Sequence, residues 1–412
     1  MPKLPSFSEA RSIVLEHAQK LQPPDIEILE LPASLGRVLA EPISADRDFP
    51  PFNRATRDGY ALRAADLSKL PARVAVVGEI RAGAKPAESA RALNSGEAVE
   101  IMTGAPVPPG ADAVVMVEHT ERHGEWVTMQ RSVVAGENIV LRGTECAAGN
   151  LLLKPGTRLG PEQLAVLAAT GHSTVRVFQR PRLAVLSTGD EVVDVAAAPG
   201  PNEIRNSNAY ALAAQIQGAG AAAAILPIAP DEPEQLRKLI QEGLACDLLL
   251  LSGGVSMGKH DLVEAALGDL GAEFFFTGAQ IQPGKPIVFG RAPRTGSPGQ
   301  ATYFFGLPGN PISTMVCFEL FARAALESLS GSQPSRLRTA MARLKQDMKV
   351  KTGLTRFLPA VISGEFDEAE VEIVKWQGSG DIAAAAQGNC WLVVPPDREI
   401  LKSGDAVNVL LR

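Results

Sequence analysis

Residues 246–267 read CDLLLLSGGVSMGKHDLVEAAL. The four consecutive leucines, Leu248 to Leu251, form a continuous apolar run of the kind found in a strand buried on both faces of a parallel sheet. The segment SGGVSMGKHD follows at once. Its glycines, Gly253, Gly254 and Gly258, let backbone approach a ligand where a side chain would block it. A helix is expected from about Asp261, with Val263, Ala266, Leu267 and Leu270 as its apolar face. Strand, glycine-rich loop and helix start together present free N–H groups to an anion. In open α/β sheets ligands bind at the carboxyl ends of the strands, where this loop would lie. A tight connection with no ligand would use the same residues.

Two more strand ends carry similar punctuation. RLAVLSTGDE, residues 182–191, ends a strand with the adjacent carboxylates Asp190 and Glu191. ATYFFGLPGNP, residues 301–311, ends another and leads into a long apolar helix from Ile312. Between them strands and helices alternate. Leu183 to Ser187 is a strand, and Asn206, Ser207 and Asn208 offer caps for a helix over Ala209–Gln217. A second strand spans Ala221–Ile228, with Asp231 just past its end and Pro233 opening the next helix. Glu273–Phe276 and Ile287–Phe289 are further strands, joined through QIQPGKP. Three βα units imply right-handed crossovers and a doubly wound sheet. Gly331 to Pro334 reads as a linker.

The flanks differ. Ser6 and Glu9 have capping-box spacing before a first helix that Pro23-Pro24 ends. Ile26 to Leu31 reads as a strand, Ser34 to Ala40 as a brief helix, and Thr157 to Gly171 as a helix with Pro161 in its first turn. Val74 to Trp126 is rich in short β-branched runs and reads as all-β. Arg336 to Arg412 holds strands near Phe357–Ile362, Val371–Trp376, Cys390–Val394 and Val407–Leu411, which suggests a small barrel or sandwich. Asp58-Gly59 is a turn signal in which Asp58 could simply shape the turn.

The 412 residues carry a net charge of −6. That balance argues against nucleic acid as a partner, and it means local donors must hold any anionic substrate. No stretch is long and apolar enough for a membrane span, and no secretory signal is visible. The four cysteines are far apart and never C-x-x-C, so reduced thiols in a cytoplasmic protein are expected.

Asp190, Glu191, Asp231 and Asp261 all fall at strand ends. Four acids around one cleft would repel unless a cation joined them, and hard oxygen ligands suit Mg²⁺ shared with substrate phosphates. The alternative for Asp190 and Glu191 is a helix N-terminus that favours acids through its dipole. Lys285, in PGKP, is a point-charge partner for an oxyanion or else a surface lysine.

STGDE, SGGVSMG and GLPGNP, in this order, resemble the MoeA family, the molybdopterin molybdotransferases, which includes the E domain of gephyrin. The resemblance covers almost the whole chain. It implies a central three-layer αβα molybdopterin-binding (MogA-like) domain with an inserted β module and a C-terminal small β-barrel. Expected boundaries are 1–46 with 146–180, 47–145, 181–330 and 331–412. The implied reaction inserts molybdenum from molybdate into adenylylated molybdopterin and releases AMP, with Mg²⁺. The implied substrate-binding residues are Ser187, Gly189, Ser252, Gly253, Gly254, Ser256, Gly258, Pro308, Gly309, Asn310 and Pro311. Ser379 joins them through a "Q-G-S" loop, although a helix N-cap would explain it equally well.

The resemblance adds Asp58 in "DGYA", Thr103 in "MTGAPVP" and Glu145, beside the implied catalytic Glu191, Asp231, Asp261 and Lys285. It departs at Arg57, at Thr144-Glu145 (where a Glu-Asp pair is usual) and at Gln282, where a second lysine is common. Family members are elongated homodimers, so Asp58 and Thr103 are expected to complete the partner's cleft. Transient contacts with a molybdopterin adenylyltransferase and acceptor molybdoenzymes are also implied. The rival readings are molybdopterin adenylylation, which smaller proteins perform without the two β modules, and a divergent ligand-binding scaffold.

Overall fold

The computed structural model describes residues 4–85, 89–254 and 262–412. Its centre is a six-stranded sheet in the order Ala222–Ile225, Arg182–Ser187, Leu248–Ser252, Ala301–Leu307, Val288–Pro293, Glu273–Thr277. The first four strands are parallel, Val288–Pro293 runs against them, and Glu273–Thr277 runs against Val288–Pro293. The leucine run explains the layering. Leu248 and Leu250 face a core shared with the helices Phe7–Ala18, Ser207–Gly218 and Pro311–Cys317. Leu249 and Leu251 face the helices Pro233–Gly243 and Leu262–Asp269 on the other side. Alternate side chains leave opposite faces of a strand, so burial on both faces requires an unbroken apolar run. The strand Ala222–Ile225 is shorter than the sequence suggests because it stops before Pro227, which has no N–H to give a ladder.

The first helix forms as its capping box dictates: Glu9 N–H donates to Ser6 Oγ (3.3 Å) and Ser6 N–H to Glu9 Oε2 (2.7 Å). It lays Ala10 and Val14 on the sheet core. His17 stacks on Phe275 at 3.7 Å and hydrogen-bonds Tyr303 (3.2 Å). Burial holds its imidazole below the usual value. The neutral ring therefore adds stability that is present above about pH 6.5 and lost as pH falls through the lower folded value.

Ile26–Glu30 pairs with Thr174–Phe178, and Ile43–Ser44 with Leu151–Leu153, so segments distant in the chain share one small core. The brief helix expected over Ser34–Ala40 does not form. A single 3₁₀ turn spans Leu31–Ser34, Gly36 takes φ +75°, and Val38 and Leu39 instead bridge to Arg158 and Val177. Burying Val38 and Leu39 outweighs local propensity here.

Between these paired segments lies a six-stranded sheet in the order Ala113–Met116, Gly59–Leu62, Glu97–Ile101, Ala72–Ile80, Trp126–Met129, Thr120–His123. At the other end, Thr355–Ser363 pairs with both Glu370–Ile373 and Cys390–Val394, while Thr339–Leu344 and Ala406–Leu411 close the circuit. The result is a five-stranded barrel with its own core. Ile281–Gln282 pairs with Thr355 and Arg356 and ties the barrel to the α/β domain. No helix among the described residues is long and apolar enough to cross a membrane.

Candidate active site: a cleft at the parallel strand ends

Three parallel strands end at one level: Ser187 lies opposite Ser252, and Ser252 opposite Leu307. The loops beyond them are stitched together by backbone bonds. Thr188 N–H donates to Ser252 O (3.0 Å), Gly253 N–H to Leu307 O (3.2 Å) and Gly189 N–H to Ala229 O (3.1 Å). Gly253 sits at φ +94°, and a Cβ there would meet Thr188 O at 2.6 Å. Glycine is thus the residue that allows the neighbouring loops to touch.

The strand ends open into a cleft of about 370 Å³. Ser187, Glu191, Ser252, Gly253, Pro308, Gly309, Asn310 and Pro311 line it, which brings together most of the described residues expected to bind substrate. Gly189 lies beside it in the same loop, under the Glu191 carboxylate. Ser256, Gly258 and Asp261 lie outside the described residues. Ser207 and Pro311, the first residues of two helices, also line the cleft. Helix N-termini carry positive partial charge, and the Ser207 helix also presents N–H groups, whereas Pro311 has none and Ile312 N–H is taken by Ser379 O; this rim favours an anion.

The cleft's polar wall includes residues the sequence reading treated only as helix caps. Asn206 caps its helix through Ala209 N–H (3.2 Å) and also holds Ser187 Oγ (3.0 Å). Asn208 Nδ2 donates to Ser252 Oγ (2.8 Å) and Gly309 O (2.7 Å), clasping two strand-end loops. Thr188 Oγ1 and Asn208 Oδ1 are buried without a hydrogen-bond partner among the described residues. Such groups cost roughly 1–3 kcal/mol each until something satisfies them. Among the described residues Arg205 is the cation on this wall. The only signal for these residues was the N-S-N cap cluster, whose second use is visible in three dimensions alone.

The acids are arranged less simply. No helix begins at Asp190–Glu191, and the next element is the strand Val192–Val193, so the helix-dipole explanation fails. Asp190 accepts the Asp231 N–H (3.0 Å). Glu191 alone of the three lines the cleft, and Ile204 N–H holds its carbonyl (2.8 Å). Among the described residues no group of three or more acids, histidines or cysteines is arranged to hold a metal. Lys285 is exposed next to Pro286, which lines the cleft.

Ser379 joins the GLPGNP loop. Its Oγ accepts from Asn310 Nδ2 (2.9 Å) and its carbonyl takes the Ile312 N–H (3.0 Å). The N-cap alternative fails, because Asp381 caps the helix Ile382–Gln387.

Asp58 and Thr103 form a pair of their own. Thr103 N–H (2.6 Å) and Oγ1 (2.8 Å) both donate to Asp58 Oδ1. Chiefly the backbone N–H, and then the hydroxyl, holds the Asp58 carboxyl below its usual range. The pair thus adds stability present above about pH 3.9 and lost as pH falls through the lower folded value. A carbon-13 titration of Asp58 is expected to show a midpoint below that of a free aspartate; an unshifted midpoint would contradict the pair. Glu145 lies outside it and faces Arg54 (3.2 Å) instead. Arg57 is exposed and donates to Thr56 O (3.2 Å).

Three family models match in succession: "MoeA N-terminal region (domain I and II)" over residues 5–171, "Probable molybdopterin binding domain" over 184–328 and "MoeA C-terminal region (domain IV)" over 341–411. The chain is 34% identical to the molybdopterin molybdenumtransferase of Nostoc sp. (strain PCC 7120 / SAG 25.82 / UTEX 2576), over 99% of this chain and 94% of that one. The chain belongs to the MoeA family. The enzyme of the same name from Bacillus subtilis (strain 168) is 33% identical over 94% of this chain and 90% of its own. Among solved structures, the molybdopterin biosynthesis MoeA protein of Pyrococcus horikoshii OT3 superposes with a TM-score of 0.79 at 29% identity, over 100% of both chains. Another crystal structure of a Pyrococcus MoeA protein gives 0.74 at 32% identity over 99% of each. As a MoeA chain, this one keeps its three strand-end loops on one cleft and carries its Asp58–Thr103 pair on the inserted sheet.

Proposed function

We propose that this chain is a molybdopterin molybdenumtransferase: it takes adenylylated molybdopterin and molybdate, inserts molybdenum and releases AMP. The observation that carries the reading is the convergence of STGDE, SGG and GLPGN on one cleft faced by two helix N-termini. Such a cleft suits phosphate and oxyanion groups, and the relatives bear the matching name. Among the described residues no nucleophile–base pair lines it, so the residues work by positioning and electrostatics. Ser187, Ser252 and Asn208 orient phosphate oxygens, and Arg205 and Lys285 balance their charge.

Mg²⁺ usually takes one or two carboxylates and completes its shell with phosphate oxygens and water. Glu191 on the cleft wall, with Asp190 next to it and Asp231 bonded to Asp190, would hold an ion shared with substrate; Asp261 lies outside the described residues. Bound there, the ion would neutralise charge on the pyrophosphate. The residues themselves fix the phosphates against the strand-end loops.

The working unit of this proposal is a cytoplasmic homodimer, with passing contacts to a molybdopterin adenylyltransferase and to acceptor molybdoenzymes. Four free cysteines agree with a reducing compartment. Domain boundaries are drawn at 1–46 with 146–180, 47–145, 181–330 and 331–412, which the strand pairings across 26–44 and 151–178 support. Asp58 and Thr103 are absent from the cleft lining of their own chain, and in the dimer they complete the partner's cleft. The experiment is subunit exchange. Asp58→Ala protein mixed with Glu191→Gln protein is expected to regain molybdate-dependent AMP release, because each heterodimer carries one intact cleft. A mixture as inactive as its parents, despite proven exchange, would place each site within one subunit.

A further inference from the structure

A second cavity lies where the first helix, the Arg323–Leu329 helix, the 331–338 segment and the last barrel strand meet. It shares no lining residue with the cleft. Arg11, Arg323, Arg336, Arg338 and Arg412 line it, against two acids, Glu319 and Glu327. Both acids are already engaged. Glu319 holds Arg323 through two bonds (2.6 and 2.8 Å) and takes Gln215 Nε2 (2.8 Å). Glu327 accepts the N–H and hydroxyl of Ser335 (2.6 and 2.8 Å). That pair of bonds ties the 331–338 segment back onto the helix and sets Arg336 and Arg338 at the mouth.

The other arginines are built in. Arg11 reaches the carbonyls of Leu320 and Ser335. Arg412 donates to Ala385 O (2.8 Å) and Gly388 O (3.0 Å), with its guanidinium 4.1 Å over the Trp391 ring. The heads of Arg336 and Arg338 have no hydrogen-bond or carboxylate partner among the described residues. Ala324, Leu337, Leu410 and Leu411 complete the lining. Five cations against two acids leave a surplus of three positive charges, in a chain whose net charge is −6. Like charges this close repel unless an anion joins them, and apolar walls strengthen the field.

We propose that this pocket is a binding site for a small tetrahedral oxyanion of the phosphate or sulfate class, separate from the strand-end cleft. Size selects the class. The cavity measures about 30 Å³, and one water needs roughly 10–15 Å³ on that scale. A compact tetrahedral group fits inside it, and a sugar or base does not. Guanidinium forks match the geometry of such oxygens, so Arg336 and Arg338 grip the anion from the open side while Arg11 and Arg412 supply field from within.

The test uses the full-length protein and two probes. Crystals soaked in selenate, a tetrahedral dianion with anomalous signal, are expected to show a peak among Arg11, Arg336 and Arg338. Calorimetry with inorganic phosphate is expected to show a site whose affinity falls at least tenfold in Arg336→Ala/Arg338→Ala. Both heads are exposed, so this variant retains its fold and its AMP release, and a selenate peak in the cleft persists in it. Arg73→Ala, on the inserted sheet, leaves phosphate binding unchanged. No peak in the wild-type pocket, or a peak and an affinity that survive the double substitution, overturns the proposal.

Discussion

Glu191→Gln is expected to lower molybdate-dependent AMP release about a hundredfold, the scale of losing one placed electrostatic contact to a transition state. Its position makes the carboxylate hard to replace. The side chain folds back over Gly189, where an added Cβ would meet Glu191 Oε2 at 2.4 Å. Its own carbonyl is fixed by Ile204 N–H. Glu191 therefore stands on the cleft wall with its backbone anchored. Glutamine keeps the shape and removes the charge, so the far-ultraviolet spectrum and melting behaviour should stay as in the wild type. Steady-state AMP release is the measurement. A variant with wild-type rates would remove Glu191 from the working site.

Gly59→Ala is expected to destabilise the inserted sheet by about 3 kcal/mol, at the upper end of what overpacking costs. Gly59 begins a strand paired on both sides, opposite Ile101 and Met116. A Cβ at this position would fall 1.9 Å from Val115 O, so backbone rather than a side chain must move. Hydrogen exchange is the right readout, because a chain with several cores does not unfold in two states. Amides of residues 59–62, 97–101 and 113–116 should exchange faster, while those of 182–187 and 248–252 keep their protection. Asp58, one residue away, should lose its grip on Thr103, and activity should fall with it. Unchanged exchange in the inserted sheet would contradict this account of the glycine.

The elements that the sequence specified best were those whose burial is decided locally. Leu248 to Leu251 read as a strand covered on both sides and Ser6 with Glu9 as a helix cap, and both form so. The Ser34–Ala40 stretch misled because its helix propensity is modest, while Val38 and Leu39 find partners more than a hundred residues away. The cleft was legible where glycine, proline and acid clusters stand at strand ends. Asn208 was not, because a cap residue looks the same whether or not its side chain also clasps two loops, and Arg205 stood in no motif. Ser379 shows the reverse case. Two explanations fit its loop equally until Asp381 was seen to cap the helix. Asp58 and Thr103 are 45 residues apart in sequence, and only the pairing of their strands brings the N–H and hydroxyl of one onto the carboxylate of the other.

The most direct test is AMP release by the purified protein from adenylylated molybdopterin in the presence of Mg²⁺, with and without molybdate. The account predicts that AMP appears together with molybdenum-loaded cofactor when molybdate is added, and that Glu191→Gln suppresses both. AMP release that ignores molybdate, or no release from the folded protein, would contradict it.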